Sequence, residues 1–161
     1  MIPTRATVLF LALTLPAATA VAADGEGILG LWNTQPEEYG YARVEVTKQD
    51  DRYHGQIVWL SEPDFPPDDE GGMGGKTKID RENPEPDMRD RPIVGLRLLE
   101  NFKYAGKTLW KGGTIYDPAN GKTYKCNIKL QDDGTLKVRG YIGVPLLGRT
   151  AIWSRPNYAE R

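Results

Sequence analysis

The feature that most constrains this chain is a period-two alternation of apolar and polar residues, cut into short runs by hairpin residues. In Lys122–Leu130 it is clearest: Tyr124, Cys126, Ile128 and Leu130 alternate with Thr123, Lys125, Asn127 and Lys129. A repeat of two places alternate side chains on opposite faces of a strand, so this run has one dry face and one wet face. The next run repeats the pattern, with Leu136, Val138 and Ile142 inward and Lys137, Arg139 and Tyr141 outward. Asp117-Pro118-Ala119-Asn120-Gly121 and Asp132-Asp133-Gly134 flank the first run, and Asn or Asp before Gly supplies the positive φ of a tight turn. Such punctuation divides the chain into eight runs: 28–34, 40–48, 52–60, 92–100, 107–117, 121–130, 135–142 and 149–155. After residue 24 no apolar stripe of helical spacing reaches ten residues. Short strands joined in sequence by tight turns predict an antiparallel meander, and closing it into a barrel removes the exposed edges. The expected fold is therefore all-β: a single antiparallel up-and-down β-barrel of about eight strands.

Residues 1–23 read differently. Arg5 precedes an apolar run, Val8–Leu15, and small residues then lead to Ala20-Val21-Ala22-Ala23. Charge, short apolar run and an A-x-A site are the order of a secretory signal peptide, and the run is far below the roughly 20 residues of a membrane span. The expectation is export to the periplasm or beyond, with residues 24–161 as one domain. With no Cys at the cleavage site a lipid anchor is not expected. Cys126 stands alone, so no internal disulfide staples the fold. A net charge of −1 argues against a general nucleic-acid binder, which needs a surplus of Lys and Arg.

Residues 61–91 break the strand rhythm with five prolines and the Gly71-Gly72-Met73-Gly74-Gly75 cluster. This long Pro/Gly-rich loop carries ten acidic residues against five basic ones, whereas residues 92–161 carry twelve basic against five acidic. Two readings follow: a lid or anion-attracting surface, or a solvated loop beside the outward faces of basic strands.

A search for reactive chemistry returns mostly negatives. One His and one Cys make no cluster at metal-ligand spacing, and strand parity puts His54 and Cys126 on opposite faces, so neither a metal nor a cofactor is expected. The carboxylates Asp80 and Asp117 are the acid–base candidates, although Asp117 before Pro118 is also what a turn wants. Four Trp residues stand out in a small domain. Trp32 and Trp153 suit structural positions, whereas Trp59 and Trp110 lie near the long loop and a glycine pair, where flat apolar walls could hold a ligand.

Gly30-Leu31-Trp32 resembles the opening G-x-W signature of lipocalins. The remainder resembles the bacterial secreted family called domain of unknown function 2147, through Asp80-Arg-Glu-Asn83-Pro84, Arg91–Leu96, Trp110–Pro118 with Gly121-Lys122 and Tyr124, Leu136–Gly143, Gly148-Arg149-Thr150 and Trp153. The resemblance implies a lipocalin-like, calycin-type barrel outside the cytoplasm and no settled activity. From fold and residues together the expected function is non-enzymatic binding of a small apolar or amphiphilic ligand. Its wall is drawn from Tyr53, Ile57, Trp59, Leu96, Leu98, Trp110, Tyr124, Ile128 and Val138, with Arg97 and Arg139 as candidate polar anchors. The alternatives are an envelope protein-interaction module and a small lipid- or glycan-acting enzyme.

Overall fold

A computed structural model describes residues 25–37 and 40–157. The segment read as a signal peptide lies outside these residues. Eight strands form one antiparallel sheet in strict sequence order: β1 (Gly30–Asn33), β2 (Ala42–Gln49), β3 (Arg52–Leu60), β4 (Arg97–Tyr104), β5 (Leu109–Asp117), β6 (Lys122–Leu130), β7 (Leu136–Tyr141) and β8 (Gly148–Trp153). The sheet curls until its ends meet. Asn33 N–H donates to the Ser154 carbonyl at 2.8 Å and Ser154 N–H returns the bond to Asn33 at 3.0 Å. Arg155 fastens the same seam, donating to the carbonyls of Gly27, Leu29 and Leu31 while its guanidinium lies 3.7 Å from the centre of the Trp32 ring.

Period-two pairing puts Val44, Val46, Cys126, Ile128, Leu136 and Val138 into the core. Two glycines let neighbouring strands approach. A Cβ on Gly113 would stand 2.4 Å from the Phe102 ring, and one on Gly55 would stand 3.0 Å from both Leu99 and Val44. A bulge lies between Trp110 and Gly113, where Gly112 takes φ +74°, a conformation that favours glycine.

The hairpin ends alternate, so the barrel has two unlike mouths. One is shut: a 3-10 turn, Glu26–Ile28, brings the fully buried Ile28 into the core cluster that holds Trp32, Tyr53, Phe102, Trp110 and Leu136. The Trp32 indole N–H donates to the Ile28 carbonyl at 2.7 Å, pinning the turn to the barrel. The other mouth gathers the β1–β2, β3–β4, β5–β6 and β7–β8 connections.

The structure shifts one element relative to the sequence reading. Residues 92–96 belong to the end of the β3–β4 connection, where Pro92 bridges Ile79, and β4 runs on through Asn101 to Tyr104. Asn101 has φ +63° within a strand whose pairing with β3 is irregular, so a residue that reads as a stop is absorbed as a local distortion.

Candidate functional site

The open mouth leads into a cavity of about 930 Å³. Its inner wall comes from the dry faces of the strands: Ile57 and Leu60 of β3, Leu98 of β4, Ile115 of β5, Val138 of β7, and Ala151 with Trp153 of β8. Tyr124 of β6 adds a phenol, whose oxygen accepts from Asn120 Nδ2 at 3.2 Å. Towards solvent the lining becomes charged, with Lys78, Arg81 and Arg149 facing Glu37, Asp68, Glu70 and Glu82. Apolar depth under a mixed-charge rim suits a molecule with one apolar and one polar end.

The β3–β4 connection forms an ordered strap beside this mouth. Asp64 bridges Thr77 and Ile79 bridges Pro92, giving it two short antiparallel contacts of its own. Arg81 Nη1 donates to both oxygens of Asp69, at 2.9 and 2.8 Å, and its guanidinium lies 4.4 Å from the Phe65 ring centre. The strap's ion pairs Asp69–Arg81, Glu82–Arg81 and Asp80–Arg91 all close within it, so these three of its ten acids are committed locally.

Asp80 fastens the strap to the barrel. Its side chain is wholly buried and accepts from the Tyr116 hydroxyl at 2.6 Å, Asn83 Nδ2 at 2.7 Å and Arg91 Nη2 at 3.1 Å. Tyr116 stands on β5, so this bond ties the strap to the sheet. Burial, and then the bond to Asp80, push the Tyr116 phenol up to about 12. Gly121 packs on the strap so closely that a Cβ would collide with the Glu82 carbonyl. Asp117 accepts from Ala119 N–H and Asn120 Nδ2, the bonds of a turn.

The sequence-derived ligand residues separate into groups. Tyr124 lines the cavity, together with Ile57, Leu98 and Val138. Trp110, Tyr53 and Leu96 are buried but do not line it. Trp110 packs against Tyr53 and Tyr104 at the closed end, with ring centres 6.1 and 5.3 Å apart, and its buried indole N–H has no hydrogen-bond partner among the described residues. Trp59 is 41% exposed, although straight alternation through β3 assigns it to the interior. The cause is a register shift: Val44 pairs with Ile57 but Arg43 pairs with Trp59, so Val58 is an extra residue that turns Trp59 outward. There it meets Tyr41 and the Arg43 guanidinium. Arg97 is exposed on the outer surface. Arg139 also faces out, donating to Thr150 Oγ1 and to the carbonyls of Pro145 and Leu146.

Ile115, Trp153 and Arg149 are among the wall and rim residues that escaped the sequence reading. Ile115 lies beyond the bulge of β5, which resets its parity. Trp153 and Arg149 belong to β8, where Ala151 points in and Ile152 is 40% exposed, an inverted hydrophobicity that conceals the face. Cys126 is fully buried, and burial pushes its thiol up to about 12. His54 sits on the other parity of β3 and accepts weakly from Asn101 N–H at 3.4 Å; burial, then the Arg97 charge, lower its pKa. Among the described residues no group of three or more His, Cys, Asp or Glu converges as a metal would require, and no helix is long and apolar enough to cross a membrane.

An eight-stranded meander shut at one end and hollow at the other is the lipocalin-like class of barrel, which holds ligands in its mouth. The chain is similar to the solved structure of protein HP1028 from the human pathogen Helicobacter pylori, described as belonging to the lipocalin family. The two are 25% identical, with a TM-score of 0.67, over 82% of this chain and 84% of that one. Residues 30–155 match the family model described as an uncharacterized protein conserved in bacteria (DUF2147), and the chain belongs to that family. No curated protein matches the sequence.

Proposed function

We propose that this protein is exported to the periplasm or beyond, and there holds one small, at least partly apolar molecule in the barrel cavity without doing chemistry on it. The observation that carries the reading is the cavity of about 930 Å³, apolar in depth and charged at its rim. That volume lies at the upper end of the range for small-molecule sites. Tyr124, Trp153, Ile115 and Leu98 form the contact wall, and Arg149 with Lys78 meets a polar or anionic head. Trp110, Tyr53 and Leu96 act behind this wall, as packing that keeps the cavity's shape. Trp59 reaches the mouth through Tyr41, which does line it.

The carboxylates considered for catalysis are engaged otherwise. Asp80 is buried with three donors around it and Asp117 is occupied by its turn, which supports binding over catalysis. Native mass spectrometry of the protein purified from its own host tests the proposal. A retained small molecule, lost on denaturation, is the expected result. A mass equal to the polypeptide alone, with no tryptophan fluorescence response to a panel of fatty acids and lysolipids, would overturn it. Sequencing the mature N-terminus from envelope fractions tests export, with cleavage expected near Ala22 or Ala23; intact Met1 protein confined to the cytosol would refute it.

A further inference from the structure

The β7–β8 connection differs from every other turn of the barrel. Its sequence is Ile142-Gly143-Val144-Pro145-Leu146-Leu147, and its four large apolar side chains are exposed: Ile142 69%, Val144 56%, Leu146 85% and Leu147 71%. The alternation of β7 would carry Ile142 inward, but the strand ends at Tyr141 and Ile142 begins the loop. A tight antiparallel turn needs no such residues, and clustered exposed apolar side chains mark a contact surface.

About half of the loop's backbone polar groups are provided for internally. Arg139 Nε donates to the Pro145 carbonyl at 2.6 Å and its Nη2 to the Leu146 carbonyl at 3.0 Å. Leu147 N–H donates to Val144 at 3.0 Å, and Ile142 N–H to Leu147 at 3.4 Å. Backbone groups entering hydrocarbon must bring their partners with them, because an unpaired one is expensive there. This loop does so for about half of them. Its size also discriminates among partners: six residues fall well short of the roughly 800 Å² per side that a stable protein interface buries. From Thr135 to Arg155 there is no acidic residue, and Arg139 and Arg149 are the cations that flank the tip, whereas Lys137 and Arg155 lie towards the closed end. Arg149 is exposed and pairs with Glu37, an exposed pair that an anionic headgroup could exchange.

We infer that residues 142–147 form a membrane-docking tip whose partner is a lipid bilayer surface, the four side chains entering among the acyl chains and Arg149 meeting headgroup phosphates. Ile142 and Leu147 also line the cavity, so docking sets the cavity mouth against lipid. That consequence rests on the carrier reading above; the docking itself does not.

The test uses protein recovered from the envelope fraction of cells expressing the full chain, mixed with vesicles of phosphatidylethanolamine and a minority of phosphatidylglycerol. Leu146→Cys is labelled with a polarity-sensitive dye, and the buried Cys126 stays unlabelled in the folded protein. The dye should shift to the blue on vesicles, whereas the same dye at Asp132→Cys, in the turn at the closed end, should not. The double variant Leu146→Asp/Leu147→Asp should lower vesicle partitioning by about tenfold or more, the scale of keeping two leucines in water. Equal partitioning of variant and wild type overturns the inference, as does a dye shift that follows protein concentration without lipid, which would mean that a second copy covers the tip. Native mass spectrometry separates the two proposals. A wild-type chain that binds vesicles through the tip but retains no molecule sinks the carrier reading alone, and a chain that retains a molecule but ignores vesicles sinks the docking alone.

Discussion

Removing the Asp80 carboxylate should release the strap before it unfolds the barrel. In Asp80→Ala, the buried donor Asn83 Nδ2 and the half-buried Tyr116 hydroxyl lose their acceptor, while Arg91, 45% exposed, can turn to water. Each stranded donor costs about 1–3 kcal/mol. The two lie 3.3 Å apart and can partly satisfy each other, so the total should be about 2–4 kcal/mol. Tyr116→Phe removes the charge-assisted bond to Asp80 together with the long one accepted from Asn83 Nδ2, and should cost about 1.5–3 kcal/mol. The loss falls on the strap, because its other ion pairs are local and Tyr116 is its side-chain tie to β5. Limited proteolysis should therefore cut within residues 81–91 in both variants at urea concentrations where the barrel still resists. The pH dependence gives an independent arm. The folded phenol lies near 12 against an ordinary 10, so its contribution is complete below pH 10 and is lost as pH rises through 12. Wild type should accordingly lose stability faster than Tyr116→Phe over that window. An Asp80→Ala variant with wild-type urea midpoint and proteolysis pattern would refute the reasoning, since a wholly buried carboxylate with three donors would then contribute nothing.

Three further outcomes are expected. Cys126 should react with a thiol reagent far more slowly in folded than in unfolded protein at pH 8, because burial removes access and pushes its pKa to about 12, and Cys126→Ala should cost about 1–3 kcal/mol in urea denaturation. Trp32→Ala should cost about 3–5 kcal/mol, since the ring is fully buried, bonded to Ile28 and stacked by Arg155, yet any retained ligand should persist under conditions where the variant is folded. Ala151→Trp, which projects an indole into the cavity from β8, should abolish retention of the native molecule in mass spectrometry while changing the urea midpoint little.

The fold was legible because its signals are local. Tyr124, Cys126, Ile128 and Leu130 alternate without interruption, and β6 is paired on both sides in the register that this parity demands. The Asx-Gly turns fixed the hairpin order in the same way. What stayed hidden was anything downstream of an irregularity. One extra residue in β3, Val58, reverses the face of Trp59, and the bulge before Gly113 resets β5, because a period of two keeps no memory across an inserted residue. β8 was opaque for another reason: its inward Ala151 is smaller than its outward Ile152, so hydrophobicity points the wrong way where a cavity needs space.

That inversion links folding to function in this barrel. A closed end must be filled, and here Ile28, Trp32, Phe102, Trp110 and Leu136, all 1% exposed or less, fill it. At the open end the same inward parity meets small residues instead, Gly140 opposite Ile115 and Ala151 beside Val138, and the volume the closed end spends on aromatic packing is left as cavity. A sequence pattern read for burial therefore finds the floor and the large wall residues Ile57, Leu98, Tyr124 and Val138 but passes over Gly140 and Ala151, because large apolar residues announce a core whereas the space of a cavity is left by small ones. Trp110, packed against Tyr53 and Tyr104, lies below the cavity for this reason. The division also fixes where change is tolerated: substitutions among the floor residues should act through stability, and those at Gly140, Ala151 and the 142–147 tip through what the barrel holds and what it touches.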